Sequence, residues 1–209
     1  MALNDKEHEY KIIALGDSGV GKTSIFKRFA HDKFDDDTLS TIGLAFADKE
    51  LILKNNEKIK LKLVDTGGQE RYRSLAKSYY KNVDGALFVF DHNDKDSFDH
   101  IIDWMQLFEE NTTDLNIPKF LIGNKNDLGK LDDEEIFTNF IKEHNILRYI
   151  STSAKNNINI AETFKEMAEI INPNFNKKGK QKVVKLKQKR KRMINCFLCK
   201  NEIKDDNKN

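Results

Sequence analysis

The sequence predicts an α/β fold: a six-stranded, mostly parallel sheet with one antiparallel hairpin at its edge and about five helices over its two faces. Three observations carry that expectation. Strand-like apolar runs alternate with helix-periodic segments along most of the chain, and two of those runs are joined only by a short Asn-containing turn. The first run leads straight into Gly16-Asp17-Ser18-Gly19-Val20-Gly21-Lys22-Thr23, which fits the pattern G-x-x-x-x-G-K-[ST].

Each element has its own reason. Ile12-Ile13-Ala14-Leu15 is a short unbroken apolar run, the mark of a strand buried on both faces. After the glycine-rich loop, residues 24–30 place Ile25, Phe26 and Phe29 at helical spacing. Residues 31–41 are too rich in Asp for a core element. Residues 46–53 and 59–64 read as strands joined at Asn55-Asn56, a hairpin at the sheet edge. Further strands are predicted at 86–90, 120–122 and 147–150, and helices at 97–110, 132–144 and 159–171, where Pro173 stops the last one.

The chemistry of the first loop follows from its residue types. Glycines at 16, 19 and 21 let backbone N–H groups converge on phosphates without an intervening side chain, and the helix that opens there adds its positive end. Lys22 supplies a mobile charge for the outer phosphates, and the Thr23 hydroxyl is placed to ligate a phosphate-bound magnesium ion. Strand, loop and helix in this order make the P-loop NTPase fold the expected architecture.

Two further motifs sit where strands end. Asp65-Thr66-Gly67-Gly68-Gln69-Glu70 follows the apolar stretch ending at Val64, so Asp65 faces the phosphate site and can hold magnesium through a water molecule. The Gly68 N–H can approach a terminal phosphate, and Gln69 can orient an attacking water. Asn124-Lys125-Asn126-Asp127 follows Phe120-Leu121-Ile122. The Asp127 carboxylate can accept from guanine N1–H and its exocyclic amine, a pair of donors that adenine lacks. The Lys125 stem can pack on the purine while Asn124 ties this loop to the phosphate loop. In Ser151-Thr152-Ser153-Ala154-Lys155, the Ala154 N–H is placed for the guanine oxygen and Lys155 for stacking on the ring.

Over about residues 8–172 these motifs together resemble the Ras-like small GTPases, and within them the Rab branch. The loop from Gly16 to Ser24, with Ser18 at its variable position, looks like a Rab version. Ser40-Thr41-Ile42-Gly43-Leu44-Ala45-Phe46 resembles the first switch, which implies that Thr41 binds magnesium and the terminal phosphate in the GTP state. Phe34 falls where the family sets an aromatic against the guanine. Arg71-Tyr72-Arg73-Ser74-Leu75 and Tyr79-Tyr80 resemble the second switch. There are departures: Val64 replaces the usual Trp, Thr38 an aromatic, Gly67 the usual Ala, and Lys81-Asn82-Val83 the usual Arg-Gly-Ala.

The resemblance implies a monomeric GTPase that turns GTP and water into GDP and phosphate and regulates vesicle traffic. Gln69 and the Thr41 carbonyl would hold the water, while Lys22, magnesium and the loop amides stabilise spreading charge. No Arg stands in the phosphate loop or first switch, so slow intrinsic turnover and an activating partner are expected. Exchange factor, activating protein and effectors would engage residues 38–49 and 67–82. The readings set against this one are a nucleotide-binding adaptor with little hydrolysis and a nuclear-transport type of GTPase.

Composition fits one substantial core with an extension: 209 residues, 38% hydrophobic, 14 of them Phe. No apolar run nears the roughly 20 residues that span a bilayer. The first nine residues are polar, so no secretory signal is expected, and two Cys suit a reducing cytosol. The chain has 36 basic and 34 acidic residues, of which 177–209 hold 13 and 3, leaving 23 and 31 for the rest. An acidic body therefore carries a basic arm.

The expected organisation is a flexible N-terminus (1–8), a small GTPase domain (9–173) and a disordered basic tail (174–209). Ten Lys or Arg between 177 and 192 suit an anionic membrane surface, on the cytosolic face of an endomembrane. Nucleic acid is not the expected partner, and a nuclear location is the alternative. Cys196 and Cys199 are candidate lipidation sites, although ten residues follow Cys199 and no terminal prenylation box is formed.

Overall fold

A computed structural model of the chain describes residues 8–35, 44–66, 79–129 and 134–173. Its elements run β1 (His8–Leu15), α1 (Lys22–His31), β2 (Leu44–Ile52), β3 (Lys58–Thr66), β4 (Gly85–Asp91), α2 (Lys95–Asp99), α3 (Ile101–Asn111), β5 (Lys119–Asn124), α4 (Glu134–Glu143), β6 (Arg148–Ser151) and α5 (Ile160–Ile171). The six strands form one sheet in the order β2-β3-β1-β4-β5-β6. Every neighbouring pair is parallel except β2 with β3. This is the predicted mixed sheet with its antiparallel edge hairpin, and five helices lie among the described residues. The chain divides into two compact units, Met1–Ile171 and Asn172–Asn209; the elements named here all belong to the first.

The pleat explains how the sheet is covered. Residues in register share a face, so Ile13, Ala86 and Phe88 point one way while Ile12 and Gly85 point the other. On the first face Phe88 and Phe90 meet Phe98, Trp104, Phe108, Phe137 and Phe140 from α2, α3 and α4 in one buried cluster. On the second, Phe29 of α1 stacks on Phe164 of α5 with centroids 3.9 Å apart, and Phe26 tilts against the same ring. A Cβ at Gly85 would lie 2.7 Å from Met167 Sδ, so a larger residue there would make that thioether of α5 shift.

Two boundaries differ from the sequence expectation for identifiable reasons. The strand β1 starts at His8, four residues before its apolar run, because the polar positions 8–11 pair in register with residues 59–62 of β3. The segment predicted as one helix over 97–110 is two. Asp94 caps α2 through its side chain, accepting from Asp96 N–H and Ser97 N–H, and the chain turns at His100 before α3 begins. At the hairpin, Asn56 takes φ of 62° and Leu53 N–H bonds Glu57 O at 3.0 Å, as expected of Asn at a tight turn. The helix predicted from 132 is described from Glu134 onward.

Candidate functional site

Because the loops leaving β1, β3, β5 and β6 all emerge at the strands' carboxyl ends, the topology gathers the predicted motifs at one edge of the sheet. The loop after β1 needs its glycines. Gly16 has φ of 146°, and a Cβ there would sit 2.0 Å from the Val89 carbonyl oxygen. Gly21 has φ of 96°, and its Cβ would lie 2.3 Å from Asn124 Nδ2. The second clash is instructive, since it shows how closely the loop's backbone is laid against the N-K-x-D motif.

Gly21 also precedes α1 in a left-handed conformation with no side-chain cap, and the helix has no acid in its first turn. A helix start left in this way presents N–H groups and a positive dipole end to an anion. Ser18 and Gly19 are exposed on the loop, whereas Val20, Lys22 and Ser24 are buried. Lys22 Nζ donates to Gly16 O at 2.8 Å and to Asp17 O at 2.7 Å. Burial pushes its ammonium down to about 8, against the opposing pull of Asp65 and Asp17.

Thr23 and Asp65 come together across 42 positions of sequence, the Thr23 hydroxyl donating to Asp65 Oδ2. Burial pushes the Asp65 carboxyl up, while the Thr23 hydroxyl, Lys22 and Lys27 pull it down. Its second oxygen, Oδ1, is buried with no hydrogen-bond partner. A hydroxyl, a carboxylate and an orphaned buried oxygen fit a hard divalent cation. Among the described residues no group of three or more His, Cys, Asp or Glu could hold a metal.

Asn124 joins three loops. Its Nδ2 donates to Val20 O at 3.0 Å, and its Oδ1 accepts from Thr152 Oγ1 and from Ala154 N–H, each at 3.2 Å. The N–H that the sequence assigned to guanine is thus on Asn124 in this structure. Ser153 Oγ donates to Asp127 Oδ1, which holds that carboxylate beside the S-A-K segment, and Asn126 N–H bonds Thr152 O at 3.1 Å. Lys125 takes φ of 61° and pairs its Nζ with Asp91 Oδ2 at 2.7 Å. Burial alone would raise the Asp91 carboxyl, but Lys125 and Asn93 outweigh it and hold it below the ordinary range. Lys155 is exposed and Ala154 buried. Thr41, Gly68, Gln69, Cys196 and Cys199 lie outside the described residues, as do Thr38, Gly67 and the tail.

Three contributors escape a reading of the sequence. Arg28 of α1 donates Nε–H to Ala154 O at 2.9 Å and an NH2 proton to Lys155 O at 3.1 Å, and its guanidinium lies 5.9 Å from the Phe34 ring centroid. One side chain therefore ties the first helix to the base-side loop and to Phe34. Lys11 of β1 donates to Tyr79 O at 2.7 Å and Lys81 O at 3.0 Å, at the end of the segment resembling the second switch. Buried His92 meets Ser151 Oγ at 3.1 Å and Tyr149 OH at 3.0 Å beneath the N-K-x-D loop. Their partners are 57 to 127 positions away, so no local pattern announces them.

A mostly parallel sheet with a glycine-rich phosphate loop at its first switch of strand and helix, and two further loops tied to it, defines a P-loop nucleotide-binding protein. Comparison with known proteins narrows the class. The Ras family matches residues 11–173. Among curated proteins, "Ras-related protein Rab-1D" of Dictyostelium discoideum is 41% identical over 169 residues, covering 79% of this chain and 81% of that protein. "Ras-related protein Rab-13" of Bos taurus is 38% identical over 168 residues with the same coverage. "GTP-binding protein ypt3" of Schizosaccharomyces pombe is 39% identical over 163 residues, covering 77% of this chain and 75% of that protein. The chain belongs to the Ras family, on its Rab branch.

Proposed function

We propose that the loops meeting at Asn124 hold GTP or GDP, and that this Rab-like small GTPase hydrolyses GTP to GDP as a switch in vesicle traffic. The observation that carries the reading is that single amide, which bonds the phosphate loop on one side and the base-side loop on the other. Phosphate-side and base-side residues are then parts of one seat.

The roles follow from chemistry. Backbone N–H groups of the loop and of the first turn of α1 face the phosphates, and Lys22 leaves the carbonyls of Gly16 and Asp17 to meet them. Thr23 and Asp65, joined by Thr41 in the GTP state, would hold magnesium, which supplies charge neutralisation across the phosphates when bound. Asp127, kept in place by Ser153, accepts from guanine, while Lys125 and Lys155 flank the ring and Phe34 covers it, held by Arg28. Thr41, Gly68 and Gln69 take the parts that the family assigns: Thr41 and Gly68 sense the last phosphate, and Gln69 orients the water. Effectors and regulators meet residues 38–49 and 67–82. Within them Phe46, 52% exposed, packs at 5.8 Å on Tyr79 and gives that surface an aromatic patch, while Val64 is fully buried beside it.

The basic arm at 177–192 brings the switch to an anionic membrane surface, with Cys196 and Cys199 as candidate lipidation positions. No helix among the described residues is long and apolar enough to cross a membrane. The direct test is bound-nucleotide analysis with single-turnover hydrolysis. Purified protein should carry GDP or GTP and select it over ADP and ATP by orders of magnitude. Equal affinity for the two purines would overturn the reading.

A further inference from the structure

A loop built for anions carries an acid, and the structure shows what restrains it. Both oxygens of the Asp17 carboxylate are taken by the turn between α2 and α3 and by the start of α3. Oδ2 pairs with His100 Nδ1 at 2.7 Å, and Oδ1 accepts from Trp104 Nε1–H at 2.7 Å. The same residue's carbonyl is one of the two resting points of Lys22 Nζ. Trp104 is 3% exposed and belongs to the same buried cluster as Ile101 and Phe108, so its indole is held by the core as well as by Asp17. Trp104 N–H bonds His100 O at 3.2 Å, which keeps the two donors on one turn of backbone.

We propose that His100 and Trp104 are positioning residues for nucleotide retention: they draw the Asp17 carboxylate toward α3, offset its charge, and make α3 a brace for the phosphate loop. The proposal rests on the nucleotide reading of the site given above. An uncompensated carboxylate in that loop would repel phosphates and leave the Gly16–Asp17 backbone without its tether. The hydrogen bond and charge of Asp17 raise the His100 imidazole above its ordinary value of 6.5, and Asp103 and Asp96 push the same way. Among the described residues the groups acting on His100 are thus Asp17 from the loop, Asp96 from α2 and Asp103 from α3, all acids. His100 is charged at low pH and loses its proton as pH rises through the raised value, so the brace weakens in that direction.

The test is the rate of GDP release from the full chain between pH 6 and 8.5, in four proteins: wild type, His100→Gln, Asp17→Asn, and the double variant. His100 is 54% exposed on its side chain, so its replacement leaves the core untouched. Release from wild type should quicken several-fold across that range beyond whatever the nucleotide's own titration contributes, and His100→Gln should remove that extra slope. At pH 6 His100→Gln should release GDP roughly twofold to fivefold faster than wild type, the size expected for losing one half-exposed ion pair. In the Asp17→Asn background the same substitution should do nothing further. A Trp104→Phe variant should quicken release in the wild-type background, with that effect shrinking in Asp17→Asn. Equal acceleration by His100→Gln in both backgrounds, or matching pH profiles for wild type and His100→Gln, would overturn the proposal. Each protein is also measured with ADP. A chain that keeps ADP as firmly as GDP defeats the guanine reading, while the Asp17 and His100 variants are still judged on their release of either nucleotide.

Discussion

Held between the carbonyls of Gly16 and Asp17, the Lys22 ammonium binds its proton less firmly than a lysine in water, with its value pushed down to about 8 by burial. A phosphate seat thus stores a charge that is costly to keep until an anion arrives. Between pH about 8 and the ordinary 10.5 the unfolded chain holds a proton that folded Lys22 has lost. Folding of the nucleotide-free chain therefore grows more favourable as pH rises through that window. Urea titrations of nucleotide-stripped protein at pH 7.5 and 9.5 should show a gain of roughly 1–2 kcal/mol in wild type relative to Lys22→Met, which lacks the titrating group. At the base end, Asp127→Asn replaces an accepting oxygen by a donating amide. GDP affinity should fall by about 2–3 kcal/mol, and xanthosine diphosphate, which offers a carbonyl where guanine has its amine, should bind the variant better than GDP does. Competition binding with the two nucleotides checks this.

Elements act by what they hold together. Removing the Asn124 amide should cost about 2–3 kcal/mol of stability, since its bonds to Val20 O, Thr152 Oγ1 and Ala154 N–H go with it. GDP release should quicken in the same variant, because phosphate and base loops lose their common tie. On the second face of the sheet, Phe164→Ala deletes the ring stacked on Phe29 and touching Phe26, and should cost about 3–5 kcal/mol by thermal or urea unfolding. How far these elements could be read in advance depends on whether their cause is local. The apolar run at 12–15, the Asn turn at 55–56 and the three loop motifs are local patterns, and the strands and turn they predict are present. The start of β1 is not local: His8 is in a strand because Ile59 lies beside it. Nor is the break at His100, which ends the short helix begun at the Asp94 cap and lets Trp104 of α3 face the core. In the site the sequence shows glycines, lysine and acids at their spacing, because backbone geometry and phosphate chemistry demand those types. Arg28 and His100 carry no such mark, since an arginine at 28 or a histidine at 100 is unremarkable until the residues 126 and 83 positions away are brought to it.

At the scale of the whole molecule, charge separates two tasks. The basic residues at 177–192 number ten in sixteen positions, and the remainder of the chain up to residue 176 has an excess of acids. Changing those ten Lys and Arg to Gln in the full chain should leave nucleotide affinity as it is and abolish flotation with phosphatidylserine-containing vesicles. In wild type the same flotation should fade as salt is raised, at about 1 kcal/mol per basic residue near the surface before screening. Flotation unaffected by either change would remove the electrostatic account of the arm.

Arg28 gives the molecule a gauge. The helix that begins at the phosphate loop carries, six residues and about 9 Å further along its axis, a guanidinium on the carbonyls of Ala154 and Lys155, so one rigid element fixes the phosphate end of the seat relative to the base end. A nucleoside that lacks the outer phosphates leaves Lys22 and the first turn of α1 without their anion, so the chain discriminates by phosphate number as well as by base, and GMP should be a poor competitor even though its guanine is unaltered.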